Sequence, residues 1–316
     1  MKDSIFSHIG YYLLLSCSWL VSLLPLRVLY VLSDVSYFIV RYVVRYRRQV
    51  VRRNLAEAFP EKSEEERLDI ERRFYHLLCD YFVENIKVTS MSRREMLRRM
   101  VFKNTEWVEK QYAEGRQFGF CMVGHYGNWE WMASMQYWLP TPRVCQIYHR
   151  LRNHVVDRYF MRNRGRYGGE SIKMSKTLRR LVEIYRSGDK IMVGAIADQQ
   201  PKWNAIHHFT PFLHHDTAVF TGTEVMAKKF NSFLCYGRIS RPRRGYYEFE
   251  FLPITDSPSD FPDFELTDRY MQLLEQDIRR EPYLWLWTHK RWTRTREEWE
   301  RRQSAGPHSS VSYIAE

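Results

Sequence analysis

Apolar positions along this chain fall into two regimes. Residues 11–24 are almost wholly apolar, Pro25 and Arg27 interrupt, and the run resumes over residues 28–40 with only Asp34 charged. About 20 apolar residues are needed to span a bilayer. Neither half reaches that length alone. A spanning helix would include Pro25 or extend back through residues 5–10, and a hairpin or an interfacial helix fits the same pattern. No small-x-small site precedes a mature domain, which argues against a cleaved signal peptide. Beyond residue 54 the pattern thins to short periods. Residues 54–59 before Pro60 read as a helix end. Ser63 as N-cap and Glu66 at the capping-box position start a new helix, with Leu68, Ile70, Phe74, Leu77, Leu78, Phe82 and Ile86 at helical spacing through residue 89. Residues 91–100 are basic and read as helical.

From residue 117 strand-like runs alternate with helical ones. Phe118–Val123, Arg143–Tyr148 and residues 190–197 predict strands; residues 128–138, 153–164 and 175–187 predict helices. This alternation implies an α/β fold with a largely parallel central sheet flanked by helices. Further on, residues 217–230 predict a helix, residues 232–239 and 246–253 a strand pair joined by a basic turn, and residues 267–280 and 285–299 two more helices. The tail from Ser304 is small and polar and reads as disordered. The expected division is 1–53 as a membrane anchor with a basic juxtamembrane segment, 54–303 as the α/β domain, and 304–316 as the tail. No internal repeat is visible.

Composition narrows the partners. The chain has 316 residues, 44% of them hydrophobic, enough for one large domain or two small ones. Its net charge of +12 calls for an acidic partner: nucleic acid, an anionic membrane, a phosphorylated substrate or an acidic protein. Arg41, Arg45, Arg47, Arg48, Arg52 and Arg53 follow the apolar segment. By the positive-inside rule that block lies on the cytoplasmic side, where it would attract anionic headgroups. The five cysteines are scattered and form no CxxC pair, as expected of free thiols in a reduced compartment.

The densest candidate chemistry is Gly124-His125-Tyr126-Gly127-Asn128-Trp129-Glu130, where an apolar strand runs into a helix start. His125 in the turn suits general-base work, and Glu130 is close enough in sequence to orient the imidazole and stabilise its cation. Arg164-Gly165-Arg166-Tyr167-Gly168-Gly169 is a glycine-flanked basic turn that can present cations and N–H groups to an anion; an ordinary helix C-cap has the same composition. Asp198, in Ala197-Asp198-Gln199-Gln200-Pro201, follows a strand at the carboxyl edge where α/β sheets carry ligands; a satisfied turn aspartate is the alternative.

Together these pieces resemble a known family. Gly124–Glu130 resembles the HX4(D/E) motif of the glycerolipid-acyltransferase superfamily. The order of hydrophobic N-terminus, basic block, HYGNWE, RGRYGG, ADQQP and PYLWLWTHKRW resembles its bacterial lipid A biosynthesis branch, the late acyltransferases, over nearly the whole chain. The resemblance implies a glycerolipid-acyltransferase-like fold with an N-terminal membrane-associated helix. It implies an enzyme of the inner membrane with its catalytic domain on the cytoplasmic side. The reaction would move an acyl chain from acyl carrier protein, or acyl-CoA, to a hydroxyl of a phosphorylated, acylated glucosamine disaccharide. His125 and Glu130 map onto the catalytic pair, and Arg164, Asp198, Gln199 and Asn128 onto substrate-binding positions. No metal or other cofactor is expected. The chain departs from the family at Pro211-Phe212-Leu213-His214-His215, where an aromatic-aromatic-glycine run is usual, so the acyl pocket is expected to differ.

The chemistry agrees. An acceptor hydroxyl needs a base as it attacks, the thioester donor is already activated, and Arg164 or backbone N–H groups of the 124–128 turn are candidates for the developing oxyanion. Acyl carrier protein is acidic and the acceptor carries phosphates, so a basic surface suits both. Four other readings are open to the sequence: a covalent route through Cys121; a metal held by His207, His208, His214, His215 and Asp216; nucleic-acid binding, against which the apolar N-terminus and the catalytic constellation argue; and a different lysolipid, aminolipid or pigment precursor as acceptor.

Overall fold

The protein is described from a computed structural model, covering residues 5–304. The apolar N-terminus forms two helices, α1 (Ile5–Ser22) and α2 (Leu26–Phe38). Pro25 has no N–H to continue α1 and disfavours helical backbone at Leu24, so the axes bend by 115°. Among the described residues no single helix is long and apolar enough to cross a membrane; the bent pair passes that test only when both halves are taken together. The pair leaves Leu13, Trp19, Leu20, Val31, Val35 and Phe38 exposed.

A π-helical turn (Ile39–Val43) leads to α3 (Arg48–Ala58) and the long α4 (Glu64–Val88). The α4 N-terminus carries the expected capping box between Ser63 and Glu66. The basic block behaves differently from expectation. Arg41, Arg48 and Arg52 converge on Glu71 at 3.2, 3.5 and 2.7 Å. Glu71 is fully buried, and a buried carboxylate requires close cations. Half of the block therefore neutralises a core charge.

Next come α5 (Arg93–Arg99), β1 (Met100–Lys103), α6 (Thr105–Ala113), β2 (Phe118–Val123), a 3-10 segment (Trp129–Tyr137), β3 (Arg143–Tyr148), α7 (His154–Gly165), β4 (Glu170–Lys173), α8 (Thr177–Ser187), β5 (Ile191–Ile196), β6 (His208–Phe212), β7 (His215–Val219), α9 (Gly222–Lys229), β8 (Phe233–Arg243), β9 (Tyr246–Thr255), α10 (Glu265–Arg280) and α11 (Arg296–Ser304). The main sheet has seven strands in the order β1-β9-β8-β2-β5-β3-β4. Every pairing in it is parallel except the β8–β9 hairpin, and helices flank it. β2 is buried at every position, as a central strand covered on both faces must be. β6 and β7 form a separate antiparallel pair.

Two expected helices are corrected. Residues 217–230 divide into the end of β7 and α9, because Thr217, Ala218 and Val219 pair with Thr210, Phe209 and His208. Residues 285–299 are helical only from Arg296. Trp285 and Trp287 are buried, and the segment pairs with the turn after β2: Tyr126 bridges Trp285, Gly127 N donates to Leu284 O (2.8 Å) and Leu286 N to His125 O (3.1 Å). The N-terminal region clamps it from the far side. Arg47 Nη1 donates to Thr288 O (2.9 Å), and Asn54 Nδ2 to Trp287 O (2.9 Å) and His289 O (2.8 Å). Residues 305–316, expected to be a disordered tail, lie outside the described residues.

Candidate active site

β2 and β5 are parallel neighbours in register from Phe118↔Ile191 to Val123↔Ile196. Their carboxyl ends therefore emerge side by side, one carrying His125 and the other Asp198. The Asp198 carboxylate grips His125 twice, accepting from its backbone N (2.9 Å) and lying 2.7 Å from its Nδ1. Trp285 Nε1 donates to the same carboxylate (2.7 Å). Burial alone would raise the Asp198 pKa, but the charge and hydrogen bonds of His125, with the indole, outweigh it and hold the carboxyl below its usual range. The carboxylate is almost inaccessible, whereas the imidazole keeps 21% of its side-chain surface exposed. Nε2, opposite Nδ1, makes no hydrogen bond among the described residues. The two glycines of the turn have steric reasons. A Cβ at Gly124 would meet Leu274 Cδ1 at 2.7 Å, and one at Gly127, whose φ is +59°, would meet Ile239 Cγ2 at 2.9 Å.

Glu130 does not face His125. Its carboxylate takes a two-pronged contact from Arg164 at the end of α7, Nε to Oε2 at 2.7 Å and Nη2 to Oε1 at 2.5 Å. The expectation that Glu130 orients the imidazole is thus corrected: Asp198, 73 residues away, makes that contact. Burial opposes the Arg164 charge, and Glu130 more than restores it. Between the two pairs stand Trp129, edge-on to His125 at 5.2 Å, and Tyr81, stacked on Trp129 at 4.4 Å. Tyr81 is raised well above its ordinary pKa, first by burial and then by the Glu130 charge.

Asn128, expected to touch substrate, is fully buried. Its Nδ2 donates to Glu84 Oε2 (2.7 Å) and its Oδ1 accepts from Trp131 N (3.3 Å), so it fixes the turn. Glu84 also accepts from Tyr247 (2.9 Å) and from Tyr30 of α2 (2.9 Å). Burial raises the Glu84 pKa against the pull of Arg241. Gln199 is partly buried beside Asp198, and its side chain makes no hydrogen bond among the described residues. Three of the backbone donors expected for an oxyanion are spent: the N–H groups of His125, Tyr126 and Gly127 go to Asp198, Gly124 O and Leu284 O.

An apolar slot adjoins the site, lined by Phe74, Leu77, Leu78, Trp129, Trp285 and Leu286 among others. Trp285, Tyr81 and Glu84 were invisible as site residues in the sequence. The one available signal was the density of tryptophan after Pro282, which helical spacing masked. The histidines near residue 210 go to separate partners: His208 to Asp268 (2.8 Å), His214 toward Glu61 (3.7 Å), and His215 onto the Trp292 ring (4.2 Å). Asp216 is paired with Arg296. Cys121 is wholly buried inside β2, where a thiol is packing rather than an accessible nucleophile.

Comparison with known proteins gives two findings. Residues 2–294 match the family described as bacterial lipid A biosynthesis acyltransferase. The chain is also similar to the lipid A biosynthesis lauroyltransferase of Escherichia coli (strain K12), with 26% identity over 286 residues, covering 89% of this chain and 90% of that protein.

Proposed function

The chain belongs to the bacterial lipid A biosynthesis acyltransferase family and is an acyltransferase, and we propose that it moves a fatty acyl chain from acyl carrier protein to a hydroxyl of a phosphorylated lipid A precursor, with His125 as general base. The observation that carries this reading is the Asp198–His125 contact, which commits Nδ1 and leaves Nε2 free of hydrogen bonds among the described residues, on a ring that keeps 21% of its side-chain surface exposed. Nε2 takes the proton of the acceptor hydroxyl as its oxygen attacks the thioester carbonyl. The carbonyl π electrons move to oxygen, giving an oxyanion. Arg164, partly exposed and braced by Glu130, is the nearby cation suited to it. Collapse re-forms the carbonyl and expels the thiolate, which takes the proton from the imidazolium. Asp198 holds the tautomer throughout and stabilises the cation. Glu130 remains part of the catalytic pair through Arg164.

The net charge of +12 suits an acidic carrier protein and a phosphorylated acceptor. The exposed apolar faces of α1 and α2 support attachment to the cytoplasmic face of the inner membrane, with the pair lying in the interface. Mass spectrometry of lipid A from cells with the wild-type gene, the His125→Ala variant or no gene tests the reading. The expected result is one acyl chain fewer in the latter two. Full acylation by a His125→Ala enzyme would overturn the mechanism, and lipid A unchanged in the deletion strain would overturn the acceptor.

A further inference from the structure

Arg291 is 1% exposed, and none of its three guanidinium nitrogens has a hydrogen-bond partner among the described residues. The other deeply buried arginines here are paired: Arg41 with Glu71 and Arg241 with Asp80. An isolated buried cation costs several kcal/mol even after relaxation, and such groups concentrate at functional sites. The surroundings of Arg291 lead to the Asp198–His125 pair. Its Cζ lies 6.0 Å from the Phe212 ring centre, Phe212 packs on Trp285 at 5.8 Å, and Trp285 donates to Asp198. Burial lowers the Arg291 pKa to about 10, against the upward pull of Asp198 and Tyr270.

We propose that Arg291 is a positioning residue for the Asp198–His125 pair, a fixed buried positive charge that balances Asp198 and sets how readily His125 takes up a proton. A buried aspartate alone would favour the imidazolium and blunt His125 as a base. A buried guanidinium linked to that carboxylate through Phe212 and Trp285 opposes the effect. Hydrogen bonds to Asp198 come from His125 and Trp285, so the carboxylate keeps its geometry while Arg291 acts through the field. The charged and titratable groups around the pair are Tyr270 of α10, His289 and Arg291 of the segment after Trp285, Arg47 from the N-terminal region, and the mutually paired Glu130 and Arg164. Of these, Arg291 is the fully buried cation without a counter-hydrogen bond.

The proposal rests on His125 acting as the base. It is tested by the pH dependence of kcat/KM for acyl transfer from an acyl carrier protein thioester by the full-length enzyme, together with its thermal unfolding. In Arg291→Met the acid limb is expected to move up by about one pH unit, so that activity lost near neutrality is recovered by raising the pH. Arg291→Lys is expected to restore the wild-type limb. An Arg291→Met enzyme that is less stable but keeps the wild-type limb would overturn the proposal. If Arg291→Met does not fold, Arg291→Gln is measured against the same two outcomes. Activity in His125→Ala removes the mechanism itself, whereas an unshifted limb in an active Arg291 variant removes only the role of Arg291.

Discussion

The site holds two carboxylates by opposite means. Asp198 leaves a rigid strand end and is fixed by a backbone N–H, an imidazole and an indole, all within 3 Å. Glu130 sits on a 3-10 turn and is held by the guanidinium of Arg164 from another helix. The first is pinned to the sheet and shares the charge of its histidine; the second is one half of an ion pair. In the proposed mechanism the difference gives orientation of His125 to Asp198 and placement of a cation to Glu130, although Glu130 is the closer of the two to His125 in sequence.

The sharpest way to break this contrast is Asp198→Asn, which keeps shape but offers an amide donor in place of one acceptor. kcat is expected to fall about 10³–10⁴-fold with folding intact, measured as acyl transfer rate. A loss of less than tenfold would hand the orienting role back to Glu130. Arg164→Lys replaces a fork by a point charge. It is expected to lower kcat about 10²-fold with KM for the acceptor little changed, as for loss of an oxyanion donor; a pure KM effect would make Arg164 a ground-state contact.

A third expectation concerns stability. Burial, reinforced by Arg291, lowers the His289 pKa to about 4 from 6.5. The unfolded chain therefore binds a proton that the folded one refuses between those values. Stability is lost as pH falls from about 6.5 to about 4, by up to roughly 3 kcal/mol. Chemical denaturation at both pH values should show this loss in the wild type and a smaller one in His289→Asn. The smallest effect belongs to Gln199→Ala: its side chain is uncommitted, and kcat/KM is expected to stay within about threefold. A large drop would make it a substrate contact.

What the sequence revealed, and what it hid, follows from range. Phe118–Val123 is a continuous apolar run, and its strand ends where the pattern ends; Arg143–Tyr148 is a β-rich run interrupted by Gln146 and was legible by its place in the alternation. The Ser63–Glu66 capping box is a local device and was equally plain. β4 is the short Glu-Ser-Ile-Lys edge strand, which has no alternating pattern to see. The partner of His125 lies on the next parallel strand, and adjacency across a sheet leaves no trace in local spacing. Glu130 had the right chemistry at the right sequence distance, but its side chain points to α7. Residues 285–295 contained the clue of buried tryptophans, yet only pairing with the turn after β2 keeps them extended.

That pairing has a consequence for how the enzyme is made. Trp285 braces Asp198 across 87 residues, and Arg47 and Asn54 reach 241 and 233 residues ahead to carbonyls that anchor the same segment. The last two closures are among the longest loops in the fold, and all three form only when the last tenth of the chain has left the ribosome. The sheet can assemble during synthesis, but the Asp198 carboxylate gains its final brace at the end. On the proposed mechanism, a nascent chain is therefore silent until it is nearly whole.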